Sequence, residues 1–155
     1  MEEITLEDDI LVLALGSNLG NRKQLIETAY QQIEEQLGTI LKKSNYLENA
    51  PVGFDSNQLF LNTCIVVRCQ KEAFEVLNVL KKIEVDLGRI KAKECYEDRP
   101  IDIDIIFYGQ RIIEEPQLII PHKAYEKRKF VVSPLLELAN FQDPKTKRFI
   151  AEIKF

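Results

Sequence analysis

Hydrophobic and polar residues along the first two thirds of the chain follow two different periodicities. Short apolar or alternating runs predict β-strands, whereas apolar positions three and four residues apart predict amphipathic helices. Gly38 and Gly88 follow the two helical runs, as glycines at helix ends commonly do. The pattern predicts strands over residues 10–15, 39–47, 60–69 and 101–107, and helices over residues 26–37 and 73–87.

The order of these predicted elements is β-α-β-β-α-β, which is typical of the split-βαβ or ferredoxin-like arrangement. We therefore expect an α+β fold with an antiparallel sheet, helices packed on it, and three layers in the order α/β/α. Beyond the last strand, the sequence predicts a small hairpin around Gly109, a segment over 121–129 and an apolar helix near 132–139. We expect residues 10–155 to form a single domain, because no repeat or linker interrupts them.

Composition narrows the classes of protein that this chain can belong to. Its 155 residues are 45% hydrophobic and 30% charged, which suits one ordinary core. The net charge of -4 argues against nonspecific nucleic-acid binding. No apolar run approaches the roughly 20 residues of a membrane span, so we expect no membrane partner and a cytoplasmic location.

The negative charge is concentrated at the start of the chain. Residues 1–9 contain five acidic side chains and no basic one. The remainder is close to neutral, and we expect residues 1–9 to be a flexible acidic extension outside the domain.

Two aspartates occupy a predicted strand, although aspartate is disfavoured in strands. Asp102 and Asp104 are two residues apart, which places both carboxylates on one face of the strand. Oxygen ligands on a rigid strand suit Mg²⁺, which takes phosphate oxygens as further ligands. A solvated strand face would carry the same pattern, so the pattern leaves both interpretations open.

Basic residues flank this strand on both sides along the chain. Such residues can bind phosphate oxygens and stabilise charge during phosphoryl transfer. They could equally be solvated loop charges, and His122, the one histidine, could be structural or could donate to a phosphate. These flanking residues are Arg89, Lys91, Lys93 and Arg99 before the strand, and Lys123, Lys127, Arg128 and Lys129 after it.

Taken in order, these motifs resemble the 6-hydroxymethyl-7,8-dihydropterin pyrophosphokinase family of folate biosynthesis, from about residue 11 to residue 139. The most specific stretch is Arg99-Pro100-Ile101-Asp102-Ile103-Asp104-Ile105, which is similar to the family's Arg-x-x-Asp-x-Asp signature. The supporting motifs are Gly16-Ser17-Asn18-Leu19, Pro51-Val52-Gly53, Phe60-Leu61-Asn62, Glu84 with Gly88-Arg89, Pro121-His122 and Arg128-Lys129-Phe130.

This resemblance implies an enzyme that moves the β,γ-pyrophosphoryl group of ATP to the hydroxymethyl oxygen of the pterin and releases AMP. Asp102 and Asp104 would bind two Mg²⁺ ions, while Arg89 and Arg99 would stabilise the migrating charge from a mobile loop. The implied ATP-binding residues are Lys81, Glu84, Lys91, Arg99, Ile105, His122, Lys123 and Arg128.

The same resemblance implies a pterin site in which Tyr96 and Phe130 stack on the ring and Asn62 reads its amide edge. Packing in the core would account equally well for Phe60 and Phe130. The implied pterin-binding residues are Ala50, Val52, Phe60, Asn62, Tyr96 and Phe130.

Four positions depart from the family's usual residues. Tyr96 stands where tryptophan is common, Lys91 where arginine is common, Lys81 where glutamine is common and Lys123 where tyrosine is common. Lys91 keeps the positive charge but loses the bidentate geometry of arginine.

Two other functions remain open at this point. One is a different two-metal nucleotidyl or phosphoryl transferase on the same scaffold, and the other is a non-catalytic ligand-binding module. In the leading interpretation the partners are small-molecule substrates, with no nucleic acid, and the chain is expected to be a monomer.

Overall fold

The computed structural model describes residues 2–50, 58–88 and 100–155. Short 3₁₀ turns cover Tyr125–Lys127 and Ile150–Glu152. In chain order, the strands and helices of the described residues are β1 (Glu3–Ile4), β2 (Ile10–Ser17), α1 (Arg22–Gln36), β3 (Gly38–Lys43), β4 (Leu47–Asn49), β5 (Phe60–Cys69), α2 (Ala73–Asp86), β6 (Asp102–Tyr108), β7 (Ile113–Glu115), β8 (Leu118–Ile120), α3 (Lys129–Leu138) and β9 (Asn140–Phe141).

The central sheet has the strand order β3-β5-β2-β6, and β4 pairs with β5 beside β3. Every pairing in this sheet is antiparallel. The predicted β-α-β-β-α-β order and the ferredoxin-like α+β class are confirmed. No helix of the described segments is long and apolar enough to cross a membrane.

The segment predicted as one strand over 39–47 forms two strands, β3 and β4. Both pair with β5, but Ser44 lies between them and interrupts the ladder. Its side-chain oxygen accepts the hydrogen bond from the Cys64 N–H at 2.9 Å, a donor that a regular strand would match with a carbonyl.

Both faces of the central sheet are apolar. Successive side chains of a strand point to opposite faces, so neighbouring apolar residues contribute to different faces. Leu13 and Ile65 lie on the face that packs against α1 and α2. Val12 and Val66 lie on the other face, which packs against α3. This confirms the three-layer arrangement.

The first residues are packed against the domain, in contrast to the flexible extension predicted for residues 1–9. Strand β1 pairs in parallel with β9, and Leu6 is 2% exposed. The Gln110 side chain donates to the Leu6 carbonyl at 2.8 Å, and Arg111 donates to the Asp8 carbonyl at 2.7 Å. The acidic composition of residues 1–9 did not indicate that Leu6 packs in the core with α3.

The hairpin predicted around Gly109 lies further along the chain, where β7 and β8 pair. Gly109 instead ends β6 with a positive φ of 55°, and a Cβ there would lie 2.7 Å from Asp8 Cα. The glycine is required by the close approach of the N-terminal segment, which sequence periodicity does not reveal. The predicted last helix is present as α3.

Candidate active site

Strand register brings the site residues into two rows across the sheet. Asn62 on β5 and Asp102 on β6 are both paired with Gly16 on β2, so these three residues lie side by side. The next row on the same face is Cys64, Ala14 and Asp104. Because neighbouring strands are about 4.8 Å apart, Asn62 and Asp102 stand roughly 10 Å from each other across a residue without a side chain.

A cavity of about 370 Å³ opens over these rows. Its three parts are an amide and aromatic end on β4, β5 and α3, a charged centre on β6 and the segment between β8 and α3, and a further wall from α2. Nine of the predicted site residues line it, namely Phe60, Asn62, Lys81, Glu84, Asp102, Asp104, His122, Arg128 and Phe130.

At the charged centre, two basic side chains converge on one carboxylate oxygen. His122 Nε2 and Arg128 Nη1 each lie 3.9 Å from Asp104 Oδ2. Asp102, Asp104 and Arg128 are each partly exposed to the cavity, so the charged groups are available to a ligand.

His122 is held in one tautomer. Its Nδ1 accepts the Ala124 backbone N–H at 3.1 Å, so we assign the ring proton to Nε2. Burial, followed by the Arg128 charge, lowers the His122 pKa to about 4, although Asp102 opposes the shift. The imidazole is therefore neutral near pH 7 and presents an N–H donor towards the centre of the cavity.

At the amide end, hydrogen bonds fix the orientation of Asn62. Its Nδ2 donates to the Leu47 carbonyl at 3.0 Å and to Asn49 Oδ1. Backbone carbonyls only accept, so the group facing Leu47 must be the NH₂ group. Asn62 Oδ1 therefore lies towards Gly16, where it can accept a hydrogen bond from a ligand N–H group.

Glu84 connects α2 to the aspartate strand. Glu84 is 7% exposed, and its carboxylate accepts the Ile103 N–H through Oε2 at 2.7 Å. Ile103 is the residue between the two aspartates, so this hydrogen bond fixes the start of β6.

Comparison with known proteins identifies the family. The pattern of the 7,8-dihydro-6-hydroxymethylpterin-pyrophosphokinase (HPPK) family matches residues 12–140. The chain belongs to the HPPK family.

The chain is similar in sequence to proteins of about its own length and to longer proteins. The chain is 36% identical over 138 residues to the Porphyromonas gingivalis 2-amino-4-hydroxy-6-hydroxymethyldihydropteridine pyrophosphokinase, covering 87% of this chain and 94% of that protein. It is also 36% identical over 151 residues to a folate synthesis bifunctional protein of Arabidopsis thaliana, covering 97% of this chain. This chain spans 31% of that longer protein.

A solved structure shares the fold. The crystal structure of a Plasmodium falciparum HPPK-DHPS triple mutant superposes with a TM-score of 0.75 and 18% sequence identity. The match covers 92% of this chain and 42% of the Plasmodium chain.

Several residues implied by the family resemblance do not line the cavity or fall outside the described residues. Ile105 is buried in the core beneath α1 and α2, while Lys123 and Ala50 are exposed and do not line the described cavity. The remaining predicted residues, Val52, Arg89, Lys91, Tyr96 and Arg99, lie outside the residues that the structure describes.

The sequence patterns did not reveal several other residues that line the cavity. Asn49 lines the amide end, and Leu77 and Leu80 line the α2 wall. Leu77 and Leu80 belong to the apolar repeat that predicts this helix, and only their place in the cavity wall reveals a second role. Gly16 and Asn49 depend on strand register, which the local pattern does not specify.

The donor set of this cavity suits a hard cation such as Mg²⁺. Asp102 and Asp104 supply carboxylate oxygens on one face, and the cavity beside them has room for phosphate oxygens and water. Among the described residues, no group of three or more His, Cys, Asp and Glu side chains could hold a metal ion. Partial coordination by protein is usual for Mg²⁺ at phosphate-transfer sites.

Proposed function

We propose that this chain transfers the pyrophosphoryl group of ATP to 6-hydroxymethyl-7,8-dihydropterin, giving AMP and the pterin diphosphate for folate synthesis. The observation that carries the proposal is the row Asn62, Gly16 and Asp102 in a chain of the HPPK family. A hydrogen-bonding amide and a carboxylate pair flank a gap that could hold the hydroxymethyl group.

The pterin occupies the amide and aromatic end. Asn62 Oδ1 accepts from N–H groups of the ring, because its own NH₂ group is engaged by Leu47 and Asn49. Phe60 and Phe130 offer flat apolar surfaces of the kind that heterocycles stack on. From the family resemblance, Tyr96 and Val52 also belong to this end.

The triphosphate of ATP occupies the charged centre. His122 donates from Nε2 and Arg128 from its guanidinium, and both already point at the oxygen of Asp104. Donors fixed before the ligand arrives stabilise charge without reorganisation during the reaction. The nucleoside lies against Leu77, Leu80 and Lys81.

Transfer breaks one bond and forms another at the β-phosphorus. The hydroxymethyl oxygen bonds to that phosphorus and loses its proton to water, while the bond from the phosphorus to the α,β-bridging oxygen breaks and AMP leaves with that oxygen. Asp102 and Asp104 would hold two Mg²⁺ ions, which polarise phosphate oxygens and lower the pKa of the attacking hydroxyl. Arg89, Arg99 and Lys91 add positive charge in this proposal.

The proposal also covers the partners, the oligomeric state and the location of the enzyme. The substrates are small molecules, the active species is a monomer, and the location is cytoplasmic. Neither a membrane nor a nucleic acid takes part.

The direct test is an incubation of the purified chain with ATP, Mg²⁺ and 6-hydroxymethyl-7,8-dihydropterin. We expect AMP and the pterin diphosphate in equal amounts. ADP as the product would point to an ordinary phosphotransferase, and binding of both ligands without turnover would point to a ligand-binding module. Either result contradicts the proposal.

Removing the carboxylates tests their role. We expect Asp102→Asn and Asp104→Asn each to lower kcat by at least about 10²-fold, because an amide is a poor ligand for a cation that neutralises phosphate charge. Glu35→Gln on the exposed face of α1 is the matched control and should leave kcat unchanged. Wild-type rates in both aspartate variants would show that the carboxylates are misassigned.

A further inference from the structure

The two basic groups at the charged centre come from one short segment. His122 and Arg128 lie between β8 and α3, three residues before and three residues after Tyr125. Tyr125 is 2% exposed, and it is not among the described residues that line the cavity. Tyr125 therefore lies in the middle of the segment but on the side away from the cavity lining.

The ring of Tyr125 connects this segment to the aspartate strand. It packs edge-on against Phe107 of β6, with ring centroids 5.1 Å apart and planes at 73°. Phe107 is three residues beyond Asp104 and contacts Phe141 of β9 on its other side. The turn is thereby held against the strand that carries both carboxylates.

The hydroxyl of Tyr125 connects the segment to a rigid acceptor. Tyr125 Oη donates to Asp143 Oδ2 at 2.6 Å, and Asp143 is 3% exposed. The other oxygen, Oδ1, accepts the N–H groups of Lys145 and Thr146 at 2.7 and 3.1 Å. Because both oxygens are engaged, the carboxylate cannot turn without breaking hydrogen bonds to Tyr125 or to the loop that follows Asp143.

Hydrogen bonds connect Tyr125 and its neighbour Ala124 to the two basic residues. The Arg128 N–H donates to the Tyr125 carbonyl at 3.0 Å. On the other side, the N–H of Ala124, next to Tyr125, donates to His122 Nδ1 at 3.1 Å. A displacement of Tyr125 would therefore move an anchor of each side chain that converges on Asp104.

We propose that Tyr125, anchored by Asp143, is a positioning residue that sets His122 and Arg128 for the phosphates of ATP. This inference rests on the proposed function, because it concerns how ATP is held at the charged centre. It concerns ATP, since the Asn62 amide at the other end of the cavity is held by Leu47 and Asn49 of β4, and none of these hydrogen bonds involves Tyr125.

Tyr125→Phe is the test variant, because it keeps the ring against Phe107 and removes the hydroxyl. We expect KM for ATP to rise about tenfold, as for the loss of one charge-assisted hydrogen bond, while KM for the pterin stays within about twofold. Asp143→Asn should give a smaller rise, since its amide can still donate to the phenol oxygen and accept from the loop N–H groups.

Tyr108→Phe is the matched control. Tyr108 is also a buried tyrosine, and it lies on β6 at the opposite end from Asp102. Its hydroxyl donates to the Lys71 and Cys69 carbonyls at 2.6 and 3.2 Å. Its loss should lower Tm and leave KM for ATP unchanged.

The single histidine supplies a readout that needs no activity. In tag-free protein, the Hε1–Cε1 NMR signal reports only His122, and we expect Tyr125→Phe to shift it while Tyr108→Phe does not. An unmoved signal, an unchanged KM for ATP, or equal rises in both KM values would overturn the positioning role. Should the wild-type chain release no AMP, the proposed function fails, and the NMR comparison still decides the position of His122.

Discussion

At the scale of single residues, an absent side chain shapes the site as much as the charged ones do. Gly16 lies between Asn62 and Asp102, and its φ does not require glycine. A Cβ at this position would lie 3.2 Å from Asn62 Oδ1 and 3.5 Å from Phe60 Cδ1. The constraint is therefore the space over the sheet, which the ligand needs, and not the backbone conformation.

Gly16→Ala should consequently weaken pterin binding. Overpacking of this kind costs about 1–3 kcal/mol, which corresponds to a rise of roughly 5-fold to 150-fold in KM for the pterin. KM for ATP serves as the internal control and should stay within about twofold. Steady-state kinetics with each substrate varied in turn provides the measurement, and an equal rise in both KM values would contradict this account of Gly16.

At the scale of elements, α2 and β6 are joined where the strand that carries both aspartates begins. The Glu84 carboxylate reaches across the buried contact to the Ile103 N–H, between the two aspartates. A buried N–H group without an acceptor is costly, so this hydrogen bond stabilises the junction as well as placing the strand. Helix α2 therefore contributes to the site through the backbone of β6 in addition to its own lining residues.

Glu84→Ala should lower the free energy of unfolding by about 2 kcal/mol, because the Ile103 N–H is left without this acceptor. Glu84→Gln keeps a side-chain oxygen and should lose about half as much. Urea denaturation followed by circular dichroism measures both changes. Equal losses in the two variants would show that the charge of Glu84 matters more than its hydrogen bond to Ile103.

Element identity was predictable from the sequence because apolar periodicity directly reflects which face is buried. Phe60–Cys69 was predicted with the bounds that the structure has, since residues on both sides of this strand are buried, alternately in the two core faces. The break at Ser44 was not predictable in this way, because it depends on a hydrogen bond to Cys64 on another strand. Likewise, Asp102 stands out locally, whereas Gly16 and Asn49 acquire a role only through register.

At the scale of the whole molecule, the N-terminal segment contacts both the C-terminal part of the fold and the central sheet. Strand β1 pairs with β9, Leu6 packs in the core beside α3, and the Asp9 carbonyl accepts the Cys69 N–H at 2.8 Å. None of the described residues of this segment lines the cavity. Composition alone suggested a solvated acidic extension, because acidic residues dominate this segment. Composition does not show that the leucine among them is buried.

Leu6→Ala should therefore separate stability from activity. Truncating a fully buried leucine costs about 3 kcal/mol, which for a domain of this size lowers Tm by roughly 6–12 °C. The values of kcat and both KM should stay at wild-type levels at temperatures where the variant is folded. Thr5→Ala, at the exposed neighbouring position, is the control and should leave Tm unchanged. Calorimetry and kinetics on the same samples test the prediction, and an unchanged Tm in Leu6→Ala would mean that the N-terminal segment is not part of the folded core.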